Sequence, residues 1–127
     1  SRQYSEYQQR PRRTFVGARA MESRFAQYVD GWRVKVERVG NLNYPEAAKG
    51  KAYGSLLLSV IIRADGSVQQ VLVDRSSGHR VLDDAARRIV QMASPYAAFP
   101  PDIARDTDII EITRTWTFTT SDRLQAN

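Results

Sequence analysis

The sequence predicts an α+β fold in which helices pack on one face of a three-stranded antiparallel/mixed sheet, in the split βαβ-like order ββαβ. An Asp65-Gly66 pair separates two β-rich runs, residues 55–64 and 68–74, and such a pair is a strong hairpin signal. Apolar side chains recur at helical spacing over residues 79–93. Residues 109–119 alternate apolar and polar side chains, which is typical of a strand with one buried face.

The hairpin also has a predicted register. A two-residue loop at the Asp-Gly pair places Ala64 opposite Ser67. Val60 then lies opposite Val71 on the apolar side of the sheet. The loop length and the hydrophobic pattern therefore agree.

A long amphipathic helix is predicted ahead of the sheet, over residues 14–39. Thr14 is its predicted N-cap, and Gly40 with Asn41 forms its C-terminal stop. We expect its apolar face to pack on the sheet. The side chains of this face are Met21, Phe25, Tyr28, Val29, Trp32, Val36 and Val39. Residues 1–13 are polar and basic, which predicts a flexible arm.

The topology places the last strand, residues 109–119, at an edge of the sheet. A right-handed crossover makes it parallel to the second strand, so the first strand lies between them. A long, regular edge strand without proline is an aggregation liability that proteins normally cover. The C-terminal tail, residues 121–127, a symmetric dimer or an added partner strand would each cover it. The sequence leaves these alternatives open.

Composition argues against most catalytic and metal chemistry. The absence of Cys excludes disulfides, thiolate catalysis and Cys-ligated zinc. The single His, His79, starts a predicted helix, and no G-x-S-x-G motif accompanies it. Asp102, Asp106 and Asp108 lack the Gly and the distal Glu of a calcium-binding hand. We therefore expect no enzymatic activity, no metal and no cofactor.

The positive charge is concentrated at the front of the chain. Residues 1–53 hold eleven Lys/Arg against five Asp/Glu, out of a net charge of +5 for the whole chain. This asymmetry fits either a solvated helix and arm or contact with an anionic surface such as peptidoglycan. Scattered basic residues without an RNP motif or a GXXG loop predict no nucleic-acid partner.

Residues 44–118 resemble the TonB C-terminal domain. The order and spacing of several short motifs carry the resemblance, and none of them is specific alone. They are Tyr44-Pro45-x-Ala47-Ala48, Gly54 at a strand start, Asp65-Gly66 before Val68, Ser76-Ser77-Gly78, Leu82-Asp83-x-Ala85-Ala86, Phe99-Pro100 and Ile112-Thr113-Arg114-Thr115-Trp116-x-Phe118. The preceding helix resembles an extension found in one branch of the family.

The resemblance implies a periplasmic, non-catalytic domain of an energy transducer. The full-length protein would have an inner-membrane helix and a proline-rich spacer ahead of this chain. An ExbB–ExbD-type motor would act on that helix. The partners would be outer-membrane receptors for siderophores, haem or cobalamin, whose N-terminal TonB box would pair with the last strand. A homodimer is a further possibility.

Two groups of residues are the expected receptor contacts under this resemblance. The last strand contributes Ile109, Ile110, Glu111, Ile112, Thr113, Arg114, Thr115 and Thr117. The segment before Tyr44-Pro45 contributes Asn41, Leu42 and Asn43, where many family members have Gln-Pro.

The predicted organisation is a flexible basic arm (1–13), an N-terminal helical extension (14–40) and a TonB-like C-terminal domain (41–127). Two rival functions remain at this stage. One is an envelope-tethering or peptidoglycan-binding module that uses the basic helix through Arg33, Lys35 and Arg38. The other is a small hydrolase built on His79.

Overall fold

Five strands and three helices form the part of the chain that the computed structural model describes, residues 10–17 and 21–127. The strands are β1 (Arg13–Val16), β2 (Gly54–Arg63), β3 (Val68–Arg75), β4 (Ile109–Phe118) and β5 (Leu124–Ala126). The helices are α1 (Ser23–Leu42), α2 (Arg80–Ala93) and the short α3 (Pro101–Ala104), with a 3₁₀ turn at Glu46–Ala48.

The sheet has the order β1-β4-β2-β3, with β5 also beside β4. Its longest ladder joins β2 and β4, which run antiparallel from Gly54 opposite Phe118 to Arg63 opposite Ile109. Strand β3 is antiparallel to β2, so β4 is parallel to β3, as the right-handed crossover predicts. The α+β class is confirmed, with five strands where three were predicted.

Strand β4 lies inside the sheet, so its predicted position at the edge is wrong. On the side away from β2, β1 pairs with it in parallel from Arg13 opposite Ile109 to Val16 opposite Ile112. The C-terminal tail turns back and adds β5 in antiparallel, with Trp116 opposite Ala126. Of the predicted alternatives, the tail therefore covers one end of β4. An N-terminal strand covers the other end.

The predicted helix over residues 14–39 begins later than expected. Thr14 lies within β1 and caps no helix, and α1 runs from Ser23 to Leu42. Thr-Phe-Val favours extended backbone, and the unpaired side of β4 offers these residues hydrogen-bond partners. At the other end the helix passes Gly40, so Asn41 is helical and not part of a turn. Residues 1–9 of the predicted arm lie outside the described residues.

The hairpin between β2 and β3 follows the predicted register except near its turn. Val60 lies opposite Val71, as expected. The predicted Ala64–Ser67 pair is replaced by a bond in which Arg63 N donates to Ser67 O at 2.9 Å. A register shift after Ile61 absorbs the extra loop residue, which is the usual effect of a β-bulge.

The core lies between the helices and one face of the sheet. The predicted apolar face of α1 is buried at Phe25, Tyr28, Val29, Trp32 and Val36. Trp32 packs edge-on against Trp116 of β4, with ring centroids 6.2 Å apart. Both indoles are buried, so this contact ties α1 to the middle of the sheet.

Gly40 marks the closest approach of α1 to its neighbours. A Cβ added there would lie 2.4 Å from Leu124 Cδ2 and 3.2 Å from Ile89 Cδ1. Leu124 belongs to β5 and Ile89 to α2, and both side chains are buried. The absence of a side chain at Gly40 therefore lets helix, helix and C-terminal strand meet at one point.

We expect Gly40→Ala to be less stable than Gly31→Ala by about 1–3 kcal/mol, because an extra methyl overpacks this junction. Gly31 is the matched control, since it lies in the same helix and its added Cβ meets nothing within 4 Å. Gly31→Ala should be more stable than the parent by about 0.5–1 kcal/mol. Urea unfolding of the three proteins measures both effects. Equal stability of the two variants would contradict the close approach.

Candidate functional site

The outer edge of β4, meaning the side that faces away from β2, is the candidate site. Ile109 N donates to Arg12 O at 3.1 Å, and Thr115 exchanges two backbone bonds with Asn127, at 2.9 and 3.1 Å. Because backbone direction alternates along a strand, the odd-numbered residues of β4 direct their N–H and C=O groups to this edge. The even-numbered residues direct theirs to β2.

Strand β5 is held firmly at one end of this edge. The Asn41 side chain accepts a bond from Leu124 N at 2.8 Å and donates to Leu124 O at 3.2 Å. Glu37 Oε2 accepts a bond from Ala126 N at 2.8 Å. Leu124 and Ala126 are also fully within the core. Side chains of α1 therefore clamp the backbone of β5, and its own side chains anchor it.

Strand β1 is held much more loosely at the other end. Val16 is buried, whereas Phe15 is 69% exposed. Apart from its backbone bonds to β4 and a bond from Arg114 to Val16 O, β1 is held by ion pairs near the surface. Arg12 donates to Asp108 from Nε at 3.1 Å and from a terminal nitrogen at 3.0 Å, and Arg13 pairs with Glu111. The Arg12–Asp108 pair is solvent-exposed, and exposed pairs contribute little and are screened by salt. The Glu111 side chain is half-buried.

Arg114 lies at the gap between β1 and β5. Its guanidinium is on the core side of β4 and the residue is only 7% exposed. It donates to Val16 O at 3.2 Å and to Thr113 O at 2.8 Å. Within the described residues it has these two carbonyl acceptors and no carboxylate partner, and burial lowers the pKa of Arg114. A buried guanidinium thus sits where the edge of β4 is uncovered.

The opposite face of the sheet, which none of the described helices covers, carries hydroxyl groups that bond across β2 and β4. Ser59 Oγ lies 2.7 Å from Thr113 Oγ1 and also donates to Asp74. Ser55 Oγ lies 2.8 Å from Thr117 Oγ1. The side chains of Thr113 and Thr117 are therefore engaged with β2, and these two residues can offer an incoming strand only their backbone groups.

The predicted contacts Asn41, Leu42 and Asn43 lie at the end of α1. Asn41 is occupied with β5, and Asn43 Nδ2 donates to Val39 O at 2.8 Å. Leu42 is 79% exposed. The structure brings Asn41 to the Trp116 end of β4 through β5. It does not bring these three residues to the Ile109–Ile112 end, so the two predicted groups form no single contact surface.

Sequence analysis missed β1 as part of this site. Thr14-Phe15-Val16 was assigned to the helix, although three β-favouring residues closed by Gly17 are a signal for a short strand. The signal is weak because four paired residues have no stability of their own. Only the unpaired edge of β4 makes them a strand.

The other candidate chemistries find little support in the described part of the chain. Asp106 accepts a bond from Arg24 at 2.8 Å, which lowers the pKa of Asp106 to about 2, and Asp108 is engaged by Arg12. No group of three or more potential metal ligands occurs among the described residues. His79 is the exposed residue at the start of α2.

The positive charge of α1, the basic helix of the peptidoglycan interpretation, is partly neutralised by carboxylates of the same helix. Arg33 pairs with Asp30 at 2.8 Å and with Glu37 at 2.9 Å. Lys35 Nζ donates to Pro95 O at 2.7 Å. These contacts do not favour the peptidoglycan interpretation, because two of the cations it needs already have partners.

We expect Asn41→Ala to loosen β5 and to lower the stability by about 1–3 kcal/mol, because it leaves the backbone of Leu124 without its partners. Asn43→Ala is the matched control, since Asn43 bonds only to the exposed end of its own helix. Hydrogen exchange at Leu124 and Ala126 measures the loosening. Equal exchange rates in the two variants would contradict the clamp.

The pairing of β1 should weaken in acid. The bonds from the Arg12 side chain and backbone lower the pKa of Asp108, so β1 binds the ionised carboxylate. Docking is therefore fully supported above the ordinary Asp pKa of about 3.9 and is lost as the pH falls through the lowered value. The amide shift of Arg12 against pH reports this. Asp108→Asn should abolish the response at β1, and a response that persists in that variant would contradict the assignment.

No helix within the described residues is long and apolar enough to cross a membrane. Among curated proteins, none matches this chain. Among solved structures, the NMR structure of the Helicobacter pylori TonB C-terminal domain (residues 179–285) matches with 21% identity and a TM-score of 0.52, covering 80% of this chain and 96% of that chain. This likeness confirms the fold.

The family of Gram-negative bacterial TonB protein C-terminal domains matches residues 40–120. This match spans more than half of the chain, and it covers the β2–β4 ladder, the hairpin and α2. The chain therefore belongs to the TonB C-terminal family, the periplasmic and non-enzymatic domain of TonB-type energy transducers.

Proposed function

We propose that this domain grips the TonB box of outer-membrane receptors by adding it as a strand to the outer edge of β4. One observation carries the proposal. The edge accepts a parallel strand, β1, and an antiparallel strand, β5, from opposite ends of the chain. An edge that pairs with two such different segments recognises backbone groups, which is how strand addition gains its affinity.

The proposed contacts divide by the alternation of the strand. The backbone groups of Ile109, Glu111 and Thr113 would bond to the receptor peptide. Those of Thr115 and Thr117 pair with β5 and Asn127, so these two residues would flank the end of the added strand. The buried side chains of Ile110, Ile112 and Arg114 would lie beside those side chains of the peptide that point towards the core. Leu42 and Asn43 are proposed as secondary contacts at the β5 end of the strand, and Asn41 is proposed to act there by holding β5 in place.

The geometry suits the transmission of force. A peptide paired along β4 and pulled along the strand axis loads its hydrogen bonds together in shear. Each such bond contributes only about 1 kcal/mol net at equilibrium, so binding stays reversible while the pull is shared. Strand β4 is itself fixed by its ten-residue ladder with β2 and by the Trp32–Trp116 contact, so it can bear the applied force without shifting.

Membership of the family supports a proposal about the wider role. We propose that the chain belongs to a longer protein anchored in the inner membrane by a preceding helix. An ExbB–ExbD-type motor driven by the proton-motive force would act on that helix. The receptors would import siderophores, haem or cobalamin-type nutrients.

A titration of the ¹⁵N-labelled chain with a TonB-box peptide tests the proposal. We expect the largest amide shifts at Ile109, Glu111 and Thr113, because their N–H groups face the added strand. Shifts confined to residues 102–108 or to the loop before α2 would place the peptide elsewhere and contradict strand addition.

Backbone N-methylation of the peptide provides the matched control. Methyl groups on the alternate residues that face β4 remove donors to the edge, whereas methyl groups on the other set point to solvent. One of the two peptides should lose binding by about tenfold or more, and the other should retain most of it. Equal affinities would show that the main chain is not recognised.

A further inference from the structure

We propose that β1 is an intramolecular occupant of the receptor strand's place on β4, so that a receptor peptide binds by displacing β1 while β5 stays paired. The inference rests on the proposed function and specifies how the site becomes available. It treats residues Arg13–Val16 as a competitor for the same hydrogen bonds.

The need for displacement follows from the space left on the edge. Strand β1 covers Ile109 to Ile112, and β5 with Asn127 covers Thr115 to Phe118. Among the described residues, only Thr113 and Arg114 lie opposite no residue on this edge, and Arg114 directs its backbone groups to β2. This stretch is too short for a strand, which typically has about five or six residues. A peptide of ordinary strand length therefore has to replace one of the two segments.

Strand β1 is the segment that can leave. Two core side chains, Leu124 and Ala126, anchor β5, and Asn41 and Glu37 clamp its backbone. A short turn also joins β5 to β4, so its loop-closure cost is small. Strand β1 buries only Val16 and is otherwise held by backbone bonds, by the Arg114 bond to Val16 O and by two ion pairs, of which the Arg12–Asp108 pair is solvent-exposed. Its removal exposes far less apolar surface.

The place that β1 would vacate has a defined chemistry. Val16 packs into the core beside Ile112, which suits one small apolar side chain. Arg114 donates to Val16 O, the last carbonyl of the strand. Without β1, the guanidinium would keep only its own neighbour Thr113 O, so a parallel strand that offers a carbonyl at the same point restores the lost bond. The fitting occupant is an extended peptide with a small apolar residue at that position.

Competition of this kind sets a threshold for binding. A tethered strand acts at an effective concentration in the millimolar range, whereas a receptor peptide comes from solution. Exchange replaces one set of backbone bonds with another, so those bonds nearly cancel. The fit of a peptide side chain into the space that Val16 vacates then decides the outcome. The domain would therefore reject peptides that adopt an extended backbone but lack a suitable side chain at that position.

A reversible lock on β1 tests the proposal directly. The chain has no Cys, and Phe15 lies opposite Glu111 on the face of the sheet away from the helices. Phe15→Cys with Glu111→Cys therefore places two cysteines side by side on neighbouring strands, whose spacing of about 4.8 Å lies within the Cα range of a disulfide. We expect the oxidised protein to bind a TonB-box peptide at least about tenfold more weakly than the same protein after reduction. Both measurements use the same double-cysteine variant, so any effect of the substitutions on peptide affinity is the same in the oxidised and reduced forms.

A matched pair of proline variants tests the opposite direction. Arg12 O accepts the bond from Ile109, so alternation directs the N–H of Thr14 towards β4 and that of Phe15 away. Thr14→Pro removes a β1 bond without touching the β2–β4 ladder, whereas Phe15→Pro leaves that bond donor in place. We expect Thr14→Pro to tighten peptide binding by about fivefold or more and Phe15→Pro to change it much less.

The outcomes separate this proposal from the function on which it rests. If neither the disulfide nor Thr14→Pro changed peptide binding, the peptide would bind elsewhere on the domain or beside β1. That result would overturn the proposed displacement of β1 and leave the proposed function standing. No binding in the reduced protein or in Thr14→Pro, with both folded by their amide spectra, would overturn the proposed function as well. In the parent chain, amides of β1 should lose protection from exchange as peptide is added. Loss of protection at β5 instead would assign the exchange to the tail.

Discussion

The ladder between β2 and β4 is the constraint on which the rest of the structure depends. It commits the even-numbered backbone groups of β4 to β2 and presses the side chains of Ile110, Ile112, Trp116 and Phe118 into the core. The same alternation directs every odd-numbered backbone group to the other side. Backbone groups in a folded protein need partners, so the outer edge has to be covered by something.

The chain covers this edge in two unequal ways. At the Trp116 end, β5 is integrated into the core, and the close approach at Gly40 shows how tightly α1, α2 and the tail meet there. At the Ile109 end, β1 relies on one buried side chain and on charges in solvent. Strand pairing is thus strong where the fold needs it and weak where a partner strand would enter. The buried side chain of Arg114 lies at the boundary between the two.

The sequence predicted the elements whose signals are local. The Asp65-Gly66 hairpin, the apolar face of α1, the extent of α2 and the alternation along β4 all depend on spacing within about fifteen residues. The right-handed crossover then ordered three strands correctly, because that rule concerns chain geometry and not side-chain detail. The family resemblance used the same local motifs in sequence order, and the family match over residues 40–120 confirms it.

Tertiary structure alone decided how the last strand is covered. Arg13 and Ile109 pair although they lie near opposite ends of the sequence, and no local sequence pattern encodes a contact between such distant segments. Thr14-Phe15-Val16 has weak intrinsic preference, so the unpaired backbone of β4 determined that it is a strand and not the start of a helix. The sequence by itself therefore determined that β4 is a long strand with one buried face. The packed fold determined that β1 and β5 bond to the backbone groups on its other edge, because these partners come from segments distant in sequence that only folding brings to β4.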